Sequence, residues 1–495
     1  MLPAPSSTLF PLLAVAAIAV FMAVIGLRVH HVWIDEVAYA EAAINYVKDG
    51  TYTSAAYYTS HADETHVSPS PAHSFLLIAW LKLFGVSQTS VRTLPLFLAV
   101  LATIIFWRAS LRANLIHSET AGVILVSVNL LSYGFSFSYA SGRPESVSVL
   151  ALSCMFYLAT LPPSRLTAGA FFLLAALAPF MQWALVIYTF IIGAVLIIFA
   201  RERTLYPVLL AGGGMVLGLV LQVAVYKVAG LWEAWISLVS SERSVSLAQY
   251  LMERFSLRAL LRHSNTLPKE FSTFVLISGI VALGLAGWLL RIDRRQILAR
   301  VAIVLFLLVL LGMYVLGKFP SYYGWMLTFP LAAILAAMFD RLPPDRRALR
   351  TGALIIAVFS CAVGFPVQAA VALNDWPYRT PDRVNEWLQP QIRPDDIVYC
   401  DYPFYYLAKE RARKVFVGFH SRVMRPEEVD SVSLVLLSKT FCDWSHPEVL
   451  QSRATSREDW APTRTGLLGN DWRYGILSAP NYSCAALRLA PSTGL

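Results

Sequence analysis

Two carboxylates stand side by side in "HHVWIDEVAYAEAAINYVKDG", residues 30–50. They follow an apolar run, "LFPLLAVAAIAVFMAVIGL", that is long enough to cross a bilayer. At such a membrane exit Asp35 and Glu36 could take the proton of a hydroxyl as it becomes a nucleophile. A plainer task also suits them: Asp35 can begin a helix, and Glu36 can favour its positive end. Both readings stay open on these residues alone. After Asp35, the apolar residues Val37, Ala40, Ile44 and Val47 recur at helical spacing. That spacing predicts an amphipathic helix lying on the membrane, its N-terminus near the exit of the first span.

Three further groups could join them. In "SYASGRPESVSVL", Glu145 follows Arg143 and Pro144 and opens an apolar run. It is a second candidate acid or base, or simply the acidic start of a helix. In "GKFPSYYGWMLTFP", residues 317–330, Lys318 offers a compact positive charge suited to phosphate, and Tyr322 follows within reach. Lysine and tyrosine also serve as interfacial anchors. The stretch around "WISLVSSERS" supplies Arg243, with Arg254, Arg258 and Arg262 downstream, a cluster that needs an anion. Taken together, carboxylates for proton abstraction and cations for phosphate suit a lipid-phosphate donor and a hydroxyl acceptor. His61, Asp63, Glu64 and His66 could ligate a metal, but their spacing fits no specific metal motif. They read as exposed loop residues, so no metal site is assigned. No cofactor is required, and a divalent metal remains compatible.

These residues need a membrane scaffold to position them. The chain is 57% hydrophobic and only 14% charged, against about 25% charged in ordinary globular chains. Its net charge of +9 fits basic residues beside membrane spans, so nucleic acid is not a predicted partner. The first run lacks a basic n-region and a clear cleavage site, and reads as a retained helix. Candidate spans are 9–29, 93–110, 120–139, 145–161, 167–181, 184–200, 206–228, 272–290, 298–317, 322–339 and 351–371. The apolar segment 72–84 is too short to add to them. Leaving it out places 13 arginines of five short loops on one side, which the positive-inside rule makes cytoplasmic. Residues 72–84 therefore read as an interfacial or re-entrant helix. The N-terminus lies inside, and long outer loops cover 30–91 and 229–271.

The predicted architecture is a polytopic α-helical membrane protein with about 11 spans in residues 1–373. Residues 374–495 form a small extracytoplasmic α/β domain. There, "TPDRVNEWLQP" reads as a helix, and "DIVYCD", "KVFVGF" and "SLVLLS" read as short buried strands. Of the five cysteines, Cys154 and Cys361 lie in apolar runs and read as packing residues. Cys400 is expected as a buried thiol, while Cys442 and Cys484 are the favoured disulfide pair.

Several of these segments resemble the GT-C membrane glycosyltransferases, in the branch of the bacterial aminoarabinose transferases of lipid A and the protein O-mannosyltransferases. "WIDEVAYAEAAINYVKDG" is similar to that family's first-loop segment. "SPSPAHSFLLIAWLKLFGVSQTSVRTLPLFLAV" is similar to its Pro-rich turn, short helix, "LFG" and arginine before the second span. "GKFPSYYGWMLTFPLAAILA" resembles its Gly-Lys-x-Pro-x-Tyr motif. The resemblance implies inverting transfer of a sugar from a polyprenyl phosphate to a glycolipid, polysaccharide or protein acceptor, at the outer face of a bacterial inner membrane. It implies Asp35 as the catalytic carboxylate, Lys318 and Tyr322 as lipid-phosphate contacts, and, loosely, Arg243 beside them. Glu145 falls near a second acidic position. In one place the chain departs from the pattern: "THVSPSP" stands where the aminoarabinose branch has Glu-Lys-Pro-Pro, so one lysine is missing. A flippase of lipid-linked sugars, a metal-dependent oligosaccharide transferase and a non-enzymatic assembly factor are the rival readings. A flippase would need ionisable residues inside the spans, whose cores here are nearly free of charge.

Overall fold

The computed structural model describes residues 9–29, 32, 34–57, 61–162, 164–181, 206–241, 271–289, 325–374, 388–418, 420, 424–438, 454–457 and 484–489. The first apolar run is helix α1 (Leu9–Phe21), continued by a π-helical turn, Met22–Gly26, and by Leu27–Val29. The amphipathic stretch is α2 (Ile34–Asp49), with Asp35 and Glu36 in its first turn. It buries Val37, Ala40 and Ile44, as its spacing predicts, but Glu36, Glu41 and Asn45 are buried too, so the helix is covered on more than its one apolar face. The short apolar segment is α3 (Pro71–Phe84), 14 residues closed by Gly85 at φ 78°. At about 1.5 Å per residue it spans roughly 21 Å, short of a bilayer core. Its inner face packs on α2 and on α4 (Gln88–Arg112), where Trp80 Nε1 donates to Thr93 Oγ1 at 3.1 Å. Phe75, Leu76, Leu83 and Phe84 remain exposed on its other face.

The remaining helices are α5 (Glu119–Leu131), α6 (Tyr133–Ala140), α7 (Glu145–Ala159), α8 (Arg165–Met181), α9 (Tyr206–Val228), α10 (Trp232–Ser241), α11 (Phe271–Leu289), α12 (Trp325–Arg341), α13 (Arg347–Ala362) and α14 (Phe365–Asn374). Among the described residues, four helical segments are long and apolar enough to cross a membrane: 9–26, 88–112, 209–228 and 347–370. The pair α5–α6 makes a fifth if it is one span. The predicted spans at 184–200 and 298–317 lie outside the described residues. The predicted span 120–139 is broken, α5 and α6 meeting at 55°. Ser132 is extended there (φ −65°, ψ 146°), so the helical ladder stops. Tyr139 answers part of the cost, its hydroxyl donating to the Leu130 carbonyl beside the break. Helices α8 and α9 pack closely because Gly214 and Gly218 lie one turn apart. A side chain at Gly218 would collide with the Ala176 carbonyl. Phe106, Phe135, Phe156 and Phe329 fill the bundle centre, with ring centroids 5.0–5.3 Å apart.

Beyond the bundle lies a five-stranded sheet of order β2-β1-β3-β5-β4. Its strands are β1 (Ile397–Cys400), β2 (Lys414–Val417), β3 (Leu434–Ser438), β4 (Ala454–Arg457) and β5 (Cys484–Leu489). Strand β1 runs parallel to β2 and β3, pairing Tyr399 with Phe416 and with Val435. Strand β5 runs antiparallel to β3 and β4. All four residues of β1 are buried, the continuous apolar pattern of a central parallel strand. Helix α15 (Tyr405–Arg411) connects β1 to β2, and α16 (Pro426–Ser431) precedes β3. The three predicted strands appear here, and Cys400 is a fully buried free thiol. The "TPDRVNEWLQP" helix, apart from its last residues, and Cys442 lie outside the described residues.

Candidate active site

The start of α2 brings Asp35 and Glu36 to two adjacent ionic clusters. Residues one apart on a helix diverge by about 100° around its axis, so the two side chains enter different surroundings. Glu36 turns inward. Arg92, on the first turns of α4, grips it with Nε on Oε1 at 3.0 Å and Nη2 on Oε2 at 2.6 Å. Neither side chain is reached by solvent. The Arg92 Nη1 donates to the Leu27 carbonyl at 2.5 Å, tying the cluster to the end of the first span. Tyr406 of α15 donates its hydroxyl to Glu36 Oε1 at 3.1 Å. Burial, with the Glu36 carboxylate beside it, pushes the Tyr406 phenol well above its ordinary range, so it stays a donor.

Asp35 faces the second cluster. Arg143, in the turn between α6 and α7, pairs with Asp35 Oδ2 through Nη1. The same guanidinium donates to Glu145 from Nη2 at 2.6 Å and from Nε at 3.1 and 3.2 Å. Arg143 and Glu145 are closed to solvent, whereas the Asp35 side chain is 29% exposed. Two carboxylates and one guanidinium sum to a net −1 when all are ionised, and the open end of that charge is Asp35. Gly142 joins the two clusters. It adopts φ +69°, a conformation side chains disfavour, and a Cβ there would sit 3.0 Å from Glu36 Cγ. The turn that aims Arg143 at Asp35 therefore rests directly on Glu36.

A third carboxylate of α2, Glu41, is wholly buried and accepts from Ser54 Oγ at 2.8 Å. Burial raises its pKa from 4.5, opposed by the nearby Lys409 and by its hydrogen bonds. The loop after α2 holds its shape through an antiparallel bridge between Thr53 and Thr65. That bridge corrects the reading of His66 as an exposed loop residue. His66 is 3% exposed, and its ring packs on Tyr52 and Tyr57, with centroids 6.0 and 5.7 Å away. Burial lowers His66 and the neighbouring His73 to about 4, so both are neutral at pH 7. Asp63 and Glu64 face Arg425 at 3.0 and 3.6 Å. Among the described residues, no three His, Cys, Asp or Glu side chains converge to hold a metal.

Asp35, Glu36 and Glu145 thus lie in one neighbourhood, as their sequence positions suggested. Lys318, Tyr322 and Arg243 lie outside the described residues. Sequence reasoning gave Arg92 only as a family landmark and Arg143 only as a neighbour of Glu145. It gave no sign of Tyr406.

No protein-family model and no curated protein sequence matches the chain. Among solved structures it is similar to ArnT from Cupriavidus metallidurans bound to undecaprenyl phosphate. The identity is 14% and the TM-score 0.55, over 97% of this chain and 98% of that one. ArnT in the apo state gives 13% identity and a TM-score of 0.57, over 90% and 95%. An oligosaccharyltransferase from Archaeoglobus fulgidus in complex with zinc and sulfate gives 11% identity and a TM-score of 0.42, over 87% and 70%. Matching ArnT along nearly the whole of both chains, the protein shares the fold of ArnT.

Proposed function

We propose that the protein is a membrane glycosyltransferase that moves a sugar from a polyprenyl-phosphate donor to an acceptor hydroxyl, with inversion. The observation that carries this reading is the partial exposure of Asp35 within an otherwise sealed ionic cluster, in a GT-C fold. Asp35 accepts the acceptor's proton as its oxygen attacks the anomeric carbon. The bond to phosphate breaks on the opposite face, and polyprenyl phosphate leaves with the electron pair. Lys318, Arg243 and Tyr322, assigned from sequence, hold the charge that develops there. Glu145 offsets Arg143, so that the arginine orients Asp35 without cancelling its charge. Glu36, gripped by Arg92, sets where α2 begins and so where Asp35 stands.

The reading extends to placement. Eleven spans, an inside N-terminus and an extracytoplasmic sheet follow from the arginine distribution. They put Asp35 at the outer face of a bacterial inner membrane, where a glycolipid, polysaccharide or protein acceptor would meet it. ArnT bound to undecaprenyl phosphate supports a lipid-phosphate donor. The test is release of undecaprenyl phosphate from a panel of undecaprenyl-phosphate-linked hexoses and pentoses, with cell-envelope extract as acceptor. Release by the wild-type protein, lost in Asp35→Asn, is the expected result. Equal release by both removes Asp35 from the mechanism.

A further inference from the structure

We propose that Tyr406 is a positioning residue for Asp35, through which the unit built on β1–β3 sets the geometry of the active site. The proposal rests on the reading of Asp35 as the base. Glu36 is the hub. Its carboxylate takes two bonds from Arg92, at 2.6 and 3.0 Å, and a third from the Tyr406 hydroxyl, at 3.1 Å. Each donor comes from a different part of the chain. Arg92 belongs to α4 and also holds the Leu27 carbonyl, where the first span ends. Tyr406 belongs to the short helix between β1 and β2. Glu36 is the next residue after Asp35, and its Cγ supports the Gly142 turn that carries Arg143 to Asp35. A shift of Glu36 therefore moves Asp35 along the helix and moves its arginine across the gap.

The sheet unit is fixed to α2 and to the loop after it at other points. The Val417 amide donates to the Ala55 carbonyl at 2.9 Å, and Lys48 Nζ donates to the Lys409 carbonyl at 2.9 Å. His420 Nδ1 lies 3.0 Å from the Tyr57 carbonyl. These contacts hold the unit on the loop whether or not Tyr406 carries its hydroxyl. Loss of that hydroxyl alone should leave docking intact and release only the carboxylate hub. The Glu36 carboxylate would then lose one of its donors, and the first turn of α2 one of its fixed points.

The test uses the full-length protein in detergent with the donor panel above, and undecaprenyl phosphate itself as the binding probe. In Tyr406→Phe, kcat should fall about ten-fold, the scale of one hydrogen bond to a charged group. Affinity for undecaprenyl phosphate and the melting temperature should stay near wild type. Arg92→Lys keeps the charge but loses the fork, and should likewise lower kcat with undecaprenyl phosphate affinity near wild type, should the tyrosine variant not be recovered folded. The double variant should fall less than the product of the two singles, because both act through Glu36. Wild-type kcat in Tyr406→Phe, with Asp35→Asn inactive, overturns the role of Tyr406 and leaves that of Asp35 standing. Independent, multiplying losses in the double variant overturn the shared hub. Turnover by Asp35→Asn overturns both readings together.

Discussion

Asp35 keeps 29% of its side chain exposed, whereas Glu36, one residue later on the same helix turn, keeps none. Each faces an arginine, but the two arginines are used differently. Arg92 spends its fork on Glu36 and closes the remaining gap with a backbone carbonyl. Arg143 spends its fork on Glu145 and gives Asp35 a single nitrogen. One carboxylate is therefore a structural pin. The other is held by its arginine but remains partly open to solvent.

The contrast breaks most visibly at Asp35 itself. Asp35→Asn should lower kcat by about 10²–10⁴-fold, the usual contribution of a general base, while the melting temperature barely moves. Removing the pin should cost stability as well as turnover. Arg92→Ala leaves Glu36 buried without its main partner and should cost about 3–5 kcal/mol of stability, read as a lower midpoint in thermal unfolding. A midpoint unchanged in Arg92→Ala would mean that water reaches Glu36. Glu145→Gln sharpens the comparison from the other side. Arg143 then keeps its whole charge for Asp35, making it a poorer proton acceptor, and kcat should fall by about ten-fold at fixed pH. An unchanged kcat would show that the Arg143 charge does not reach the reacting proton.

The smallest effect belongs to Glu41, a buried carboxyl that pairs with no arginine among the described residues. Its raised pKa means that the folded protein binds its proton more tightly than the unfolded chain does. Stability should therefore decline as pH rises from about 4.5 toward the raised value, and level off above it. Glu41→Gln should lack this decline and be the more stable protein at neutral pH. Denaturation midpoints of the two proteins across that range measure the difference, and parallel curves would assign the carboxyl no such role.

The outline of this arrangement was legible where neighbours in sequence are neighbours in space. The Asp-Glu pair, the amphipathic face of α2 and the buried strands around Cys400 all announce themselves within a few residues. The division of labour between Asp35 and Glu36 does not. It is decided by Arg92, 56 residues away, and by Tyr406, 370 residues away, and neither distance leaves a periodic trace. The burial of His66 was hidden for the same reason, since the Thr53–Thr65 bridge sets its side rather than any local propensity. The break at Ser132 was invisible because apolar composition reads the same on both sides of it.

The separation between Glu36 and Tyr406 also has a meaning in time. A ribosome adding about 5–20 residues per second needs roughly 20 to 75 s to travel from one to the other. Arg92 emerges early in that interval, so the charged pair can close while most of the helices are still unmade. The phenol arrives only after helices α1 to α14 have been synthesised. A nascent chain thus carries Glu36 beside Arg92 for most of that interval. The first turn of α2 gains its contact with Tyr406 only once α15 has been made.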